Sequence, residues 1–304
     1  MEYVLKTNAL KKCYGNYKAL NGLTMSVPKG AIYGFVGKNG AGKTTLIRLI
    51  CGLQEPTDGE YSIFGIRNKQ KEITKVRRRM GAVVETPSIY LDMTAEDNLK
   101  QQYRILGLPS FDGITDILKL VGLENTGKKK AKNFSLGMRQ RLGIAIAFAG
   151  SPDFLILDEP INGLDPQGII EIRELILKLN REQGITFLIS SHILDELSRI
   201  ATHFGFIDNG QIVKEITAEE LEMTCRKCVR LTVSDIKALC KIADEDELEY
   251  TIVSDKEADV FGNINVSEFI QHLLSENCQV FSIHEHDESL EGYYINLVGG
   301  GINE

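Results

Sequence analysis

Long apolar runs, a secretory signal and clustered cysteines are all missing from this 304-residue sequence. The longest apolar stretch covers residues 142–149, far short of the ~20 residues that a membrane-spanning helix requires. If the protein serves a membrane, we expect it to do so through a partner. Since no secretory signal is recognisable, we expect the protein to be cytoplasmic.

The cysteines are few and scattered, which indicates reduced thiols rather than a disulfide framework. They are Cys13, Cys51, Cys225, Cys228, Cys240 and Cys278. Cys225 and Cys228 form a lone C-x-x-C pair, and the second pair of ligands that a zinc site requires is not found at a suitable spacing. We therefore favour ordinary packing over metal or redox chemistry there.

Proline and positive charge are unevenly distributed along the chain. All seven prolines lie at or before Pro166, and residues 217–304 carry 6 Lys and Arg against 19 Asp and Glu. These shifts predict a boundary near Thr217 between a main domain, 1–216, and an acidic accessory domain, 217–304. The net charge of −7 argues against a nucleic-acid partner.

Apolar strands alternate with helical patterns along residues 1–216, which predicts an α/β fold with a parallel sheet. The N-terminal segment alternates like an edge strand, and residues from about 93 to 150 have the pattern of a helical subdomain. After residue 217 the order is strand, helix, strand, strand, helix, strand, and then a last helix at 288–297. That order is typical of a small α+β ferredoxin-like domain.

A glycine-rich loop lies between the first strongly apolar strand and a helix. It matches the pattern G-x-x-x-x-G-K-[ST] with Gly37, Lys38, Asn39, Gly40, Ala41, Gly42, Lys43 and Thr44, and Thr45 follows. The backbone N–H groups of such a loop converge on phosphate oxygens, aided by the positive end of the helix. Lys43 is predicted to reach the β- and γ-phosphates of ATP and Thr44 to bind Mg²⁺.

A second buried strand, residues 154–157, is followed by two acids, Asp158 and Glu159. An aspartate at a strand end can hold the water shell of Mg²⁺ opposite Thr44. Glu159 is placed to polarise the attacking water as a general base. An apolar run that ends in two acids is common by itself, but after a phosphate loop it predicts an enzyme that hydrolyses ATP with Mg²⁺.

Residues 134–141, FSLGMRQR, resemble the signature motif of ABC-type ATPases. Ser135 and Gly137 stand where the family has its phosphate-contacting serine and second glycine. The motif departs from the family's leading Leu, first Gly and Gln at Phe134, Leu136 and Met138. The resemblance implies that this helix start completes the ATP pocket of a second subunit, so that a homodimer encloses two nucleotides.

Further positions match the ABC family in order along residues 3–216. The resemblance implies that Tyr14 contacts adenine, with Tyr17 as a rival, and that His192 contacts the γ-phosphate. Residues 162–166, NGLDP, resemble the family's loop at the dimer interface. The implied ATP-binding set is Tyr14, Gly37, Asn39, Gly40, Ala41, Gly42, Lys43, Thr44, Thr45, Ser135 and Gly137.

Glu85 stands where the family usually has a glutamine that contacts Mg²⁺ and the attacking water. A carboxylate can hold a metal-bound water, but it adds charge. We therefore place Glu85 with Thr44 and Asp158 as a predicted metal residue, and with Glu159 and His192 as a predicted catalytic residue. Glu85, SLGMRQRLGIA, NGLDPQGI and the C-terminal SLEGYYINL together resemble the subgroup that exports bacitracin and confers immunity to lantibiotics.

The resemblance implies an ABC-type P-loop ATPase fold, a mixed sheet with a helical subdomain, joined to the small C-terminal domain. It also implies a homodimer bound to a separate transmembrane permease on the cytoplasmic face of the membrane. Residues 85–98, with apolar Ile89, Tyr90 and Leu91, are the candidate contact with that permease.

Three other functions remain as alternatives. The main one is a soluble ABC ATPase of DNA repair or translation. Repair ATPases carry a long coiled coil between the phosphate loop and the signature, where this chain has only about 90 residues. Translation ATPases usually carry two cassettes, and this chain has one. A non-catalytic module is disfavoured because Lys43, Asp158 and Glu159 are present, and a P-loop kinase would lack the Ser135 motif.

Overall fold

Three apolar runs form the central strands of the protein, because strands covered on both faces need no polar alternation. In the computed structural model they are Ile32–Val36, Phe154–Asp158 and Thr186–Ser191, each buried along its length. The structure describes residues 2–225, 228–262, 264–286 and 290–299. It divides into unit 1, Met1–Ala218, and unit 2, Glu219–Glu304.

The strands described in unit 1 form two sheets. In chain order they are β1 (Tyr3–Tyr14), β2 (Tyr17–Pro28), β3 (Ile32–Val36), β4 (Asp58–Ile63), β5 (Ile66–Arg67), β6 (Met80–Val83), β7 (Phe154–Asp158), β8 (Thr186–Ser191), β9 (His203–Asp208) and β10 (Gln211–Thr217). One sheet is antiparallel, in the order β2-β1-β4-β5. The other has the order β10-β9-β3-β8-β7-β6 and is parallel except for β10.

The N-terminal strand β1 is not an edge strand, so that sequence prediction was wrong. It pairs with β2 on one side and with β4 on the other. Its alternation has a different cause: Val4, Leu5 and Leu10 pack into the core that the two sheets share. Thr7 is buried as well, while Lys6 and Asn8 face solvent. In an antiparallel sheet, alternation indicates one solvated face and says nothing about position within the sheet.

Seven α-helices are described in unit 1. They are α1 (Lys43–Ile50), α2 (Ile73–Arg77), α3 (Ala95–Leu106), α4 (Ile114–Leu120), α5 (Leu136–Phe148), α6 (Pro166–Gln183) and α7 (Leu194–Ser198), and short 3₁₀ turns lie at Glu124–Thr126 and Ala131–Asn133. Thr94 caps α3 by accepting a hydrogen bond from the Asp97 N–H, and Gly107 ends it in a left-handed conformation. Helix α3 packs on both α4 and α5, and a helical subdomain at about 93–150 stays a prediction.

Unit 2 contains four antiparallel strands in the order β12-β13-β11-β14. Its elements are α8 (Ala218–Thr224), β11 (Cys228–Val233), α9 (Ile236–Glu245), β12 (Glu249–Ser254), β13 (Glu257–Phe261), α10 (Val266–Ser275), β14 (Val280–His286) and α11 (Leu290–Gly299). Helices α9 and α10 contribute Leu239, Ile242, Phe269 and Leu273 to the core of this unit. The predicted start of the last helix, at 288–289, lies outside the described residues.

The strand register brings the motif residues to one edge of the parallel sheet. Val36 is opposite Ser191, Asp158 is opposite Ser190, and Val83 is opposite Leu157. All these pairs lie at carboxyl ends of parallel strands, and ligands of open α/β sheets bind outside those ends. The fold therefore collects segments that are far apart in sequence at a single edge.

Candidate functional site

The loop after β3 folds as a phosphate-binding loop because glycine occupies the positions that other residues cannot. Gly40 and Gly42 have φ angles of 83° and 113°, values that L-residues rarely adopt. A Cβ at Gly42 would lie 2.6 Å from the carbonyl oxygen of Ala19. The loop is tied to β8 by the Gly37 N–H, which donates to the Ser191 carbonyl at 3.2 Å. Its free N–H groups and the N-terminus of α1 form an anion-binding site.

Lys43 is held inside this loop. Its Nζ donates to the carbonyls of Gly37 at 2.6 Å and Lys38 at 3.3 Å, and it lies 3.2 Å from Oε1 of Glu159. The side chain is only 6% exposed, and a buried ammonium needs such partners because desolvation is costly. The structure thus places the predicted phosphate-binding cation next to the predicted general base.

Glu159 is fixed at both its backbone and its side chain. Its N–H donates to the carbonyl oxygen of Ser190 at 3.2 Å and to the Ser190 hydroxyl at 3.0 Å, which holds a φ of 49° that a non-glycine residue seldom adopts. Its Oε2 lies 2.8 Å from Nδ1 of His192. The predicted base and the predicted switch histidine are therefore in direct contact.

Thr44 and Asp158 meet across the strand end. The Thr44 hydroxyl donates to Oδ2 of Asp158 at 2.9 Å, and the Ser190 hydroxyl donates to Oδ1 at 2.5 Å. Asp158 is 1% exposed. A hydroxyl and a carboxylate beside a phosphate loop are hard oxygen donors of the kind that Mg²⁺ prefers, so these residues fit the ion predicted for the site.

An open cleft of about 300 Å³ lies in front of the loop. Its walls are formed by Tyr14, Tyr17, Ala19, Asn39, Gly40, Gly42, Lys43, Thr44, Thr45 and Glu159. Both tyrosines belong to it: the Tyr17 hydroxyl donates to the Gly40 carbonyl at 3.2 Å, while that of Tyr14 bonds to Gln54. Both rings are exposed, and either can stack on a flat base. Tyr14 therefore stays a prediction, with Tyr17 as its rival.

Ala41 supports the loop from behind. It is buried, its N–H donates to the Lys38 carbonyl at 3.1 Å, and its own carbonyl accepts from Gly210 at 3.0 Å. Ala41 therefore shapes the loop without lining the cleft, and the predicted role of its backbone in binding ATP stays a prediction.

Ser135 and Gly137 do not line this cleft. Ser135 caps α5 by accepting from the Met138 N–H at 3.2 Å, a cap typically worth about 1 kcal/mol. The loop before α6 approaches the same helix start: Gly163 lies against Leu136, whose side chain is half exposed. Asp165 caps α6 through the Gly168 N–H at 3.0 Å. The signature and this loop thus form a second, separate surface.

The side chain of Glu85 does not join the other predicted metal residues, Thr44 and Asp158. Its Oε1 accepts a hydrogen bond from Nη2 of Arg48 at 2.6 Å, and its side chain is more than half exposed. It is not one of the described residues that line the cleft. The metal and catalytic roles of Glu85 stay predictions.

Residues 85–98 present an apolar surface on a fixed backbone. Tyr90 is 49% exposed, and Leu91 and Met93 are also exposed. The buried Asn98 holds this segment: its Oδ1 accepts from the Tyr90 N–H at 2.7 Å, and its Nδ2 donates to the Tyr90 carbonyl at 3.0 Å. A loop that buries its amide anchor and exposes its apolar side chains is suited to contact another protein.

The cysteines contribute no site in the part of the chain that the structure describes, where no group of three or more potential metal-binding side chains is found. Neither Cys225 nor Cys228 is joined in a disulfide. Burial raises the pKa of Cys51 to about 12, opposed by Arg77 and reinforced by Asp158. Across the described residues, no helix combines the length and apolarity needed to cross a membrane.

Sequence reasoning missed two residues of the site. Ser190 precedes the predicted His192 by two residues, and its hydroxyl contacts both acids at the end of β7. Arg48 received no role, yet it binds Glu85. A polar residue that ends a buried strand was the available signal for Ser190. Nothing in the sequence indicated Arg48, because its partner is brought to it by the fold.

Comparisons with known proteins agree with this geometry. The sequence profile described as ABC transporter matches residues 20–162. The chain is 41% identical over 304 residues to the bacitracin transport ATP-binding protein BcrA of Bacillus licheniformis, covering 99% of each chain. It is 44% identical over 212 residues to the lantibiotic transport ATP-binding protein SrtF of Streptococcus pyogenes, covering 70% of this chain and 90% of that one.

A solved structure of similar fold contains the products of ATP hydrolysis. It is the dimeric, post-hydrolysis structure of the ATP-binding cassette MJ0796 bound to ADP and Pi. The TM-score is 0.64 with 26% identity, covering 70% of this chain and 98% of that one.

Proposed function

The chain belongs to the ABC transporter ATP-binding proteins, and from that premise we propose that it powers the export of a peptide antibiotic through a separate membrane permease. It is an ATP-hydrolysing subunit. The observation that carries the proposal is the assembly of Lys43, Thr44, Asp158 and Glu159 at one sheet edge. Those four residues combine phosphate binding, metal binding and a general base.

The reaction uses the groups at that edge in turn. The loop N–H groups and Lys43 bind the β- and γ-phosphates of ATP, which positions the γ-phosphoryl group. Thr44 and Asp158 would hold Mg²⁺, which when bound neutralises phosphate charge. Glu159 accepts the proton of the attacking water. His192, 2.8 Å from Glu159, orients that carboxylate.

We propose that a second copy of the chain completes the site. Ser135 caps α5 on a surface apart from the cleft, so its helix N-terminus is available to a nucleotide held by another subunit. The solved cassette noted above is itself a dimer. ATP would then close the dimer, and hydrolysis would open it.

We place the permease contact on residues 85–98 and their basic neighbours. The N–H groups of Ala131 and Lys132 donate to the carbonyls of Met93 and Leu91, so exposed lysines 128–130 adjoin the apolar surface. A partner segment that combines apolar and acidic residues fits this surface best. Such a contact would hold the subunit on the cytoplasmic face of the membrane.

The substrate class is proposed from the relatives. BcrA is a bacitracin transport protein and SrtF a lantibiotic transport protein, and both substrates are peptide antibiotics. The test is deletion of this chain in its host, followed by growth with bacitracin, a lantibiotic and an unrelated antibiotic. Increased sensitivity to one peptide alone supports the proposal, and unchanged sensitivity to both contradicts it.

The decisive experiment for ATP hydrolysis and the permease partner uses Glu159→Gln and Lys43→Ala. We expect Glu159→Gln to bind ATP as a stable dimer with hydrolysis reduced by about 10²–10⁴-fold, since the general base is lost. Lys43→Ala should lose ATP binding. Glu159→Gln purified with ATP from solubilised membranes should carry a polytopic membrane protein. A soluble complex without one would instead support the repair or translation alternative, for which the relatives give no support.

A further inference from the structure

Glu85 and Glu159 occupy equivalent places on neighbouring strands. Strands β6 and β7 are parallel, with Val83 opposite Leu157, so each glutamate lies two residues beyond an opposed pair. Neighbouring strands are about 4.8 Å apart. Both glutamates also have positive φ angles, 58° and 49°, which is uncommon for residues other than glycine. The two acids therefore lie just beyond the carboxyl ends of neighbouring strands.

Helix α1 supplies one cation to each of these acids. Nζ of Lys43 lies 3.2 Å from Oε1 of Glu159, and Nη2 of Arg48 lies 2.6 Å from Oε1 of Glu85. Arg48 is four residues after Thr44, so the two side chains share one face of the helix. The Arg48–Glu85 pair therefore lies about one helical turn beyond Thr44, a predicted metal residue.

Glutamate at position 85 creates a charge problem that glutamine would not. Asp158 and Glu159 already place two carboxylates at the edge where a polyphosphate is to bind, and Glu85 adds a third. Carboxylates gathered at one sheet edge disfavour the binding of a further anion there. Arg48 balances the charge of the Glu85 carboxylate and holds it beside α1.

We propose that Arg48 is a positioning residue for ATP binding, which neutralises Glu85 and holds its carboxylate aside from the phosphate loop. The inference rests on the proposed nucleotide site. Arg48 lies in the last turn of α1, whereas the phosphate loop is at the other end of that helix. It therefore acts through Glu85 and not by contact with phosphate.

The test is a double-mutant cycle read by the affinity for a fluorescent ATP analogue without metal, in EDTA. Arg48→Gln should weaken binding by about three- to tenfold, because Glu85 loses its counter-ion. In a Glu85→Gln background the same substitution should change affinity by less than about twofold. Arg48→Lys should restore most of the affinity, since it keeps the charge.

A matched control is available at the opposite ends of the same two strands. Arg79 and Asp153 form an exposed pair at 2.7 Å, just before β6 and β7. Arg79→Gln should leave analogue binding unchanged, and thermal unfolding should show all variants folded. Equal losses from Arg48→Gln in both backgrounds, or no loss in either, would overturn the inference while the wild type binds normally. A wild type that fails to bind would overturn the nucleotide site itself.

Discussion

At the scale of single residues, the site depends on how a buried carboxylate is satisfied. Asp158 is almost fully buried, and each of its oxygens accepts a hydroxyl hydrogen bond, one from Thr44 and one from Ser190. The same Ser190 hydroxyl accepts from the Glu159 N–H. One side chain on β8 therefore sets the orientation of both acids on β7.

Replacing Ser190 with alanine tests this role. We expect the free energy of unfolding to fall by about 1–3 kcal/mol, because a buried Asp158 oxygen loses its partner while the Glu159 N–H keeps only the Ser190 carbonyl. ATP turnover should fall as well, since Asp158 and Glu159 lose their alignment. Urea denaturation and steady-state ATPase assays measure the two effects.

Ser198→Ala is the matched control for that substitution. Its hydroxyl is exposed on α7 and donates to the Asp195 carbonyl at 2.8 Å. Surface substitutions of this kind usually change stability by less than about 0.5 kcal/mol. If Ser190→Ala and Ser198→Ala behave alike, Ser190 does not organise the acids.

The buried thiol of Cys51 gives a pH prediction. Its pKa is about 12, above the ordinary value of 9.0, mainly because of burial. Above pH 9 the unfolded chain ionises this thiol while the folded chain does not. The stabilisation is thus complete below pH 9 and is lost as the pH rises through about 12, by up to 1.36 kcal/mol per pH unit.

Cys51→Ala isolates this contribution. The wild type should lose more unfolding free energy between pH 9 and pH 11 than the variant, as measured by denaturant unfolding. Thiol reagents at pH 8 should label Cys51 more slowly than Cys13 in the folded protein. Equal slopes in wild type and variant would contradict the prediction.

At the scale of secondary-structure elements, the segment between β6 and α3 combines a rigid backbone with an apolar surface. The buried Asn98 fixes the segment through three hydrogen bonds, two with Tyr90 and one to the Thr94 carbonyl. The side chain of Tyr90 takes no part in them. A change of this side chain should therefore affect a partner and leave the fold intact.

We expect Tyr90→Asp to abolish permease co-purification and leave ATP affinity unchanged. The new charge would face an apolar contact and would lie beside an acidic partner surface. Val213→Asp is the control, because Val213 is similarly exposed on β10. Unchanged co-purification by Tyr90→Asp would remove residues 85–98 as the contact.

At the scale of the whole molecule, two units of opposite charge are joined in one chain. Unit 1 contains the entire cleft, and unit 2 has its own core around Leu231, Val233 and Val260. Residues 219–304 carry the acidic excess of the chain, with 19 Asp and Glu against 6 Lys and Arg. We propose that this acidic unit serves regulation or contacts within the dimer.

Truncation after Ala218 tests the division of labour. The shortened chain should fold and bind ATP with unchanged affinity, because unit 1 supplies every residue of the cleft. Transport should lose its normal regulation or its dimer stability. Affinity measurements, molar mass by light scattering and antibiotic sensitivity check these outcomes. Full, normally regulated transport by the truncated chain would contradict the role of unit 2.

Local sequence patterns were sufficient to identify the motifs and most of the strands and helices. The apolar runs at β3, β7 and β8 and the glycines at 40 and 42 have few alternative structures, because burial and positive φ angles restrict what such residues can do. Spacing alone also separated Ser135 from the phosphate loop. These signals are local, so they can be recognised in a single sequence.

Which side chains come into contact could be learned only from the folded chain. Strand register placed Ser190 against Asp158 and set Glu85 and Glu159 beyond the ends of neighbouring strands. The position of α1 made Arg48 the partner of Glu85. It also put β1 inside its sheet, where alternation had predicted an edge. Hydrogen bonds and ion pairs between distant residues depend on strand order and packing. Local sequence patterns and motif spacing specify neither of these.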